Sequence, residues 1–212
     1  MKLTAKTESK FGQQGYMMTK KTHMAAGILT GIIFSAINNF EFDKTVTCCV
    51  ISSVAALLPD IDILTSRPGK VLKLVSLVIN KIFGHRTICH APLMYVFIYH
   101  IIRLNQFFCI YAAYIDVAYT GIFSHIFLDM LNPAGIPIFY PFSKKRFHLA
   151  SIKTGGVLDT IAHWMLLCGI IYVGYCMVKG LSVFPEQNMK YYSLLAKAET
   201  LIQYLYSKLF II

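Results

Sequence analysis

Residues 107–130 and 158–178 form two apolar runs of the length, about 20 residues, that a helix needs to cross a hydrocarbon core. No water is available there, so every backbone N–H and C=O must be satisfied within the segment, and such runs restrict a chain to helices. Three shorter apolar runs, 24–37, 46–58 and 91–102, reach across only if flanking polar residues join their helices. Composition agrees. Charged residues make up 14% of the chain, against roughly 25% in a soluble domain, and mean hydropathy is +0.58. The fold expected is all-α: a multi-pass helical membrane protein with about five transmembrane helices plus interfacial helices.

Basic residues set the orientation. Lys2, Lys6, Lys10, Lys20 and Lys21 precede the first run. Arg67, Lys70, Lys73, Lys81 and Arg86 follow the second, and Lys144, Lys145, Arg146 and Lys153 follow the fourth. The two other internal links carry only Lys44 and Arg103. This split puts the N-terminus and both long links in the cytoplasm. The C-terminus then falls outside, which its own Lys190, Lys197 and Lys208 oppose mildly. The net charge of +10 therefore reads as loops held at an anionic membrane surface. No stacked-aromatic or zinc-knuckle pattern accompanies it, so membrane lipids, and not nucleic acid, are the expected partners.

Three regions follow: a polar basic tail over 1–21, a membrane-embedded domain over 22–180 and an amphipathic segment over 181–212. The tail has no apolar core and is not a secretory signal peptide. Between residues 70 and 83, apolar residues near helical spacing alternate with lysines, the pattern of a helix lying in the interface plane. The six cysteines contain no CxxC, and five sit in apolar runs, which suits small buried hydrophobes better than a disulfide framework.

Placed on this topology, the ionisable residues gather at one membrane face. His23 opens the first run. Asp60 and Asp62 close the second in "LLPDIDI". His85, Arg86 and His90 precede the third, and His125 and Asp129 stand near the end of the fourth. Each alone is weak, and "DID" by itself reads as an acidic turn after Pro59. "SHIFLD" says more: His125 and Asp129 are four apart and share a helix face, where an imidazole and a carboxylate inside hydrocarbon are costly without a metal or a partner. Together these nitrogen and oxygen donors suit Zn²⁺, Mn²⁺ or another divalent ion, which lowers the pKa of bound water. Arg86 matches phosphate and carboxylate geometry. His100, His148 and His163 read as structural or surface residues. Asp116, mid-run, reads as a partner of Arg103 or as a residue nearer the surface.

The ordered set of His23, "LLPDIDI", "FGHRTICHAP" and "GIFSHIFLDMLNPAGIPIFYPF" resembles the YdjM family of LexA-regulated inner-membrane proteins, classed as metal-dependent hydrolases. The resemblance spans about residues 22–164, and its specific parts are "HR…H" and "SH…D…NPAGIP…P". It implies a multi-pass hydrolase whose polar positions are His23, Asp60, Asp62, His85, Arg86, His90, His125 and Asp129. The chain departs from the family pattern in three places. His85–Ala91 lacks the usual glycine after His-Arg and the serine after the second His. Asn132 replaces a threonine. Asp159 stands near a usual glutamate.

On this reading the protein is a membrane-bound metal-dependent hydrolase with a cytoplasm-facing site, acting on a phosphoester or lipid-like substrate at the membrane surface. His23, Asp62, His90, His125 and Asp129 are expected to bind a divalent metal, Zn or Mn. Asp60 is expected to be a ligand or the base that orients water, His85 a ligand or proton donor, and Arg86 the substrate anchor. The alternatives are a multi-pass transporter, against which the one-sided polar set argues, and a non-catalytic metal-binding membrane protein.

Overall fold

The structure is a computed structural model, and it describes residues 19–84, 86–105, 108, 111–153, 155–181 and 183. The basic tail, His85 and nearly all of 181–212 lie outside the described residues. Among the described residues there are seven α-helices and no strand. They are α1 Lys20–Ile37, α2 Phe42–Ala55, α3 Arg67–Val71, α4 Lys73–Phe83, α5 Pro92–Leu104, α6 Ala112–Met130 and α7 Val157–Val178. Short 3₁₀ turns cover Leu58–Asp62 and Ile88–His90. The chain divides into two compact units, Met1–Ile171 and Tyr172–Ile212. The residues of the candidate site all lie in the first.

Local chemistry explains the boundaries. Thr19 caps α1 by accepting from the Thr22 N–H, and Ser66 caps α3 by accepting from Gly69 N–H at 2.9 Å. Pro92 opens α5, where its missing N–H costs nothing. Pro59 opens the 3₁₀ turn that ends α2. A proline there breaks the α-helical ladder, and the tighter turn that follows swings Asp60 and Asp62 inward. Asp60 is 3% exposed and Asp62 0%, so "DID" is not a solvated turn.

α1, α2 and α6 pack against one another and form the centre of the unit. Their contact rests on small residues. A methyl group on Gly27 would lie 2.8 Å from Ser53 Cα and the Ser52 carbonyl, and one on Gly31 would lie 2.8 Å from the Cys48 carbonyl. A methyl on Gly121 of α6 would overlap the Ser52 carbonyl. Gly27 and Gly31 are four apart, the spacing that lets helix backbones approach closely in membranes. The Thr30 and Ser52 hydroxyls meet across the α1–α2 seam at 3.0 Å.

The distribution of polarity is inverted relative to a soluble domain. The buried set is rich in Thr, Ser, His and Asp, whereas Val46, Val50 and Val54 form an exposed stripe on α2. Phe97 and Ile101 on α5 and Phe127 on α6 also face outward. Apolar surface of that extent is stable only against lipid or protein.

Among the described residues, two stretches are long and apolar enough to cross a membrane, Phe42–Asp62 and Val157–Val178. The assignment differs from the sequence reading at both ends. The second run reaches spanning length because the 3₁₀ turn extends α2. The fourth yields a helix that begins only at Ala112 and carries Asp116, His125 and Asp129, which lower its hydropathy.

Candidate metal centre

Four side chains from three parts of the fold converge at the end of α6. His125 and Asp129 project from one face of that helix, Asp60 comes from the turn after α2, and His90 from the Ile88–His90 turn. His90 Nε2 lies 3.2 Å from Asp129 Oδ2 and 3.9 Å from Asp60 Oδ1. His125 Nε2 lies 3.5 Å from Asp129 Oδ2 and 3.8 Å from Asp60 Oδ1. Tetrahedral ligands at zinc-like bond lengths stand roughly 3.3 Å apart, so the quartet is slightly open around one such ion. All four residues are buried.

The hydrogen bonds fix what the rings offer. His125 Nδ1 lies 2.7 Å from the Ala56 carbonyl. A carbonyl only accepts, so Nδ1 carries the proton, and in the neutral ring Nε2 presents a lone pair. That lone pair faces two carboxylate oxygens, and His125 Nε2, Asp60 Oδ1 and Asp129 Oδ2 have no hydrogen-bond partner. Acceptors turned toward one another repel unless a cation or a shared proton lies between them. An imidazole oriented by a backbone carbonyl is the usual arrangement at a metal. The donor set therefore fits a divalent ion.

The surrounding contacts hold the carboxylates in place. Asp129 Oδ1 accepts from Arg86 Nη2 at 2.8 Å and from Asn132 Nδ2 at 2.9 Å, which leaves Oδ2 to the quartet. Asp62 Oδ2 accepts the Arg86 backbone N–H at 2.7 Å and lies 3.6 Å from His90 Nδ1. Ser66 donates to the Asp60 carbonyl at 2.7 Å and Asn80 to the Asp62 carbonyl at 2.8 Å, so the "DID" turn is tied down from both sides. Arg86 has φ +57°, a left-handed conformation unfavourable for a residue with a Cβ. The bond from its N–H to Asp62 maintains it.

The sequence-derived candidates thus occupy distinct positions. His90, His125 and Asp129 belong to the quartet, with Asp60 as the fourth donor. Asp62, expected among the ligands, supports Arg86 and His90. His23 stacks on His125 with ring centroids 3.9 Å apart, its Nε2 3.8 Å from Asp129 Oδ1. His23, His125 and Asp129 make a second close group of metal-ligand type. Asp159 is elsewhere: it accepts from Thr22 Oγ1 at 2.9 Å and from Gly155 N–H at 2.9 Å, joining the starts of α7 and α1. Asp116 accepts from Tyr99 at 2.9 Å and lies 3.8 Å from Arg103. Asn132 and Asn80 were not anticipated in these roles. Asn132 stands three residues after Asp129, a spacing that signals a shared face, whereas nothing in the sequence points Asn80 at the Asp62 carbonyl. Cys89 adjoins His90, but burial, with the Asp62 charge adding to it, pushes its thiol up to about 12, so it stays a neutral thiol.

Helices with apolar exteriors around a closed His/Asp cluster define a helical membrane protein with a potential metal site. The chain belongs to the YdjM inner membrane protein family, whose match covers residues 17–201. It is similar to the uncharacterized protein YvsG of Bacillus subtilis (strain 168), at 29% identity over 77% of this chain and 98% of that protein. It is also similar to the inner membrane protein YdjM of Escherichia coli (strain K12) and of Shigella flexneri, each at 37% identity over 45% of this chain and 50% of the relative. The chain thus spans nearly all of YvsG and about half of YdjM. No solved structure matches it.

Proposed function

We propose that this protein is a membrane-bound metal-dependent hydrolase, binding Zn or Mn through Asp60, His90, His125 and Asp129 and acting on a phosphoester or lipid-like substrate at the membrane surface. The observation that carries the reading is the buried quartet, whose His125 lone pair faces two carboxylate oxygens at 3.5 and 3.8 Å. When bound, such an ion acts as a Lewis acid and lowers the pKa of water. The chain supplies the rest. Asp129 uses one oxygen toward the quartet and keeps the other on Arg86 and Asn132. Arg86 holds an anionic substrate group, and Asp62 sets its backbone. In this reading Asp60 is a ligand and not the base, and His23 backs the His125 ring by stacking or completes a second ion site. His85, next to Arg86 in the chain, is the proton donor.

Five crossings with the site on the cytoplasmic side belong to the same proposal. Each link rich in Lys and Arg adjoins a site residue, which supports that orientation. The test is hydrolysis of p-nitrophenyl phosphate, bis-p-nitrophenyl phosphate and short-chain phospholipids by the full chain in detergent. Activity that needs Mn²⁺ or Zn²⁺ and falls at least about a hundredfold in His125→Ala, with folding retained, is the expected result. A metal-loaded, folded protein that hydrolyses none of these substrates contradicts the hydrolase reading and favours a binding or transport role.

A further inference from the structure

α4 is built the wrong way round for a helix in water. Its protein-facing side is polar. Ser76 is its one buried residue, and Asn80, one turn on, donates a side-chain N–H to the Asp62 carbonyl at 2.8 Å. Its outward side is apolar. Leu74, Val78 and Ile82 recur every four residues on one stripe, with Val75 beside them, and all four are exposed, Leu74 at 81%. Lys73 and Lys81 are exposed on the same helix, and Lys70 precedes it.

A second element repeats this composition. The link after α6 folds back over that helix's end. Leu149 N–H donates to the Met130 carbonyl at 2.7 Å, Ile152 N–H donates to the Leu131 carbonyl at 2.9 Å, and Ile136 and Phe147 exchange backbone bonds at 2.9 Å. Ile136 is fully buried against Ala55, Ile122 and Ile126, which holds the strap to the core. Outward it presents Phe139, Phe142 and Leu149, Phe142 at 87%, around exposed Lys144, Lys145 and Arg146. Each element is fastened beside the quartet: α4 to Asp62, two residues after Asp60, and the strap to Met130, the residue after Asp129.

The charge on both elements has one sign. The chain carries no Asp or Glu between Asp62 and Asp116, and none between Asp129 and Asp159. Exposed apolar side chains of this extent disfavour water, and lysines disfavour the hydrocarbon interior. The headgroup level of an anionic bilayer satisfies both, with apolar side chains seated among the upper acyl chains and ammonium groups on the lipid phosphates. A second copy of this chain is a poor occupant, because it would bring the same positive charge to the contact.

We propose that α4 and the 135–152 strap are two seats for anionic phospholipid, flanking the end of the bundle that carries the quartet. The assignment requires the membrane placement of the family and no catalysis, so it stands apart from the hydrolase reading.

The test is hydrogen–deuterium exchange of the full chain in nanodiscs of phosphatidylcholine alone or of an equal mixture with phosphatidylglycerol, with bound metal measured on each sample. Amides of 73–83 and 139–149 are expected to exchange about threefold or more slowly in the anionic discs, while α1 is unchanged. Lys73→Gln/Lys81→Gln is expected to remove the difference in α4 alone, Lys144→Gln/Lys145→Gln in the strap alone, and high salt in both. Equal exchange in the two discs, or a lipid difference that survives the glutamine variants, overturns the proposal. Protection already complete in lipid-free detergent and rising with protein concentration also overturns it, and assigns the faces to a second copy. Metal content is expected to be the same in every sample. A lysine-dependent lipid effect in a protein that holds no metal sustains the seats and removes the hydrolase mechanism.

Discussion

His125 shows how much one hydrogen bond decides. Its Nδ1 contact to the Ala56 carbonyl turns an ambiguous ring into one whose Nε2 points at carboxylates, a direction that makes sense only with a cation or a proton there. Asn132 acts one step further out, through its bond to Asp129 Oδ1. Asn132→Ala is expected to weaken metal binding about 10- to 100-fold, as loss of outer contacts does at other metal centres, and to lower stability by roughly 1–3 kcal/mol because Asp129 loses a buried donor. Metal titration and thermal unfolding of the detergent-solubilised protein measure the two effects. Cys89 is the counterpart. Its thiol, held up at about 12 by burial, has no thiolate to offer, so Cys89→Ala is expected to keep the same metal stoichiometry. Loss of metal in that variant would move the centre toward sulfur.

At the scale of elements, the centre exists because α1, α2 and α6 come close enough for a short turn to bridge them. Gly121 lies against the Ser52 carbonyl and Gly31 against Cys48. Gly121→Ala is expected to cost about 1–3 kcal/mol through overpacking and to lower metal affinity as well, since α6 carries both His125 and Asp129. Unfolding in detergent and metal titration check this; an unchanged melting point would mean that the helices are looser than described. The residue pattern anticipated part of this architecture. The i, i+4 pair on α6 was readable because helix geometry alone puts both side chains on one face. The inward turn of "DID" was readable only from the company it keeps, because an acidic pair after proline is by itself usually solvated, and the ties from Ser66 and Asn80 that hold it have no sequence signal. Asp62 and Asp60 are equivalent in sequence and differ only in which way the 3₁₀ turn aims them.

At the scale of the whole molecule, the apolar exterior and the basic links make a single prediction about topology. Impermeant maleimide applied to intact cells is expected to label Lys44→Cys and Arg103→Cys, and to reach Lys70→Cys and Lys144→Cys only after the membrane is opened. Labelling of all four positions in intact cells would refute the five-crossing arrangement. The number of crossings was the least legible feature, because spanning length is a property of helices and not of apolar runs: the turn after α2 lengthens one candidate, and the ionisable residues of α6 keep that helix out of the candidate spans among the described residues. The central claim is the ion. The most direct measurement is elemental analysis of the full chain, purified in detergent without chelators and resupplied with metal, beside the His90→Ala/Asp129→Ala variant. The account predicts about one equivalent of zinc or manganese per chain, or two if His23 completes a second site, lost in the variant. A folded wild-type protein that holds no metal would contradict it.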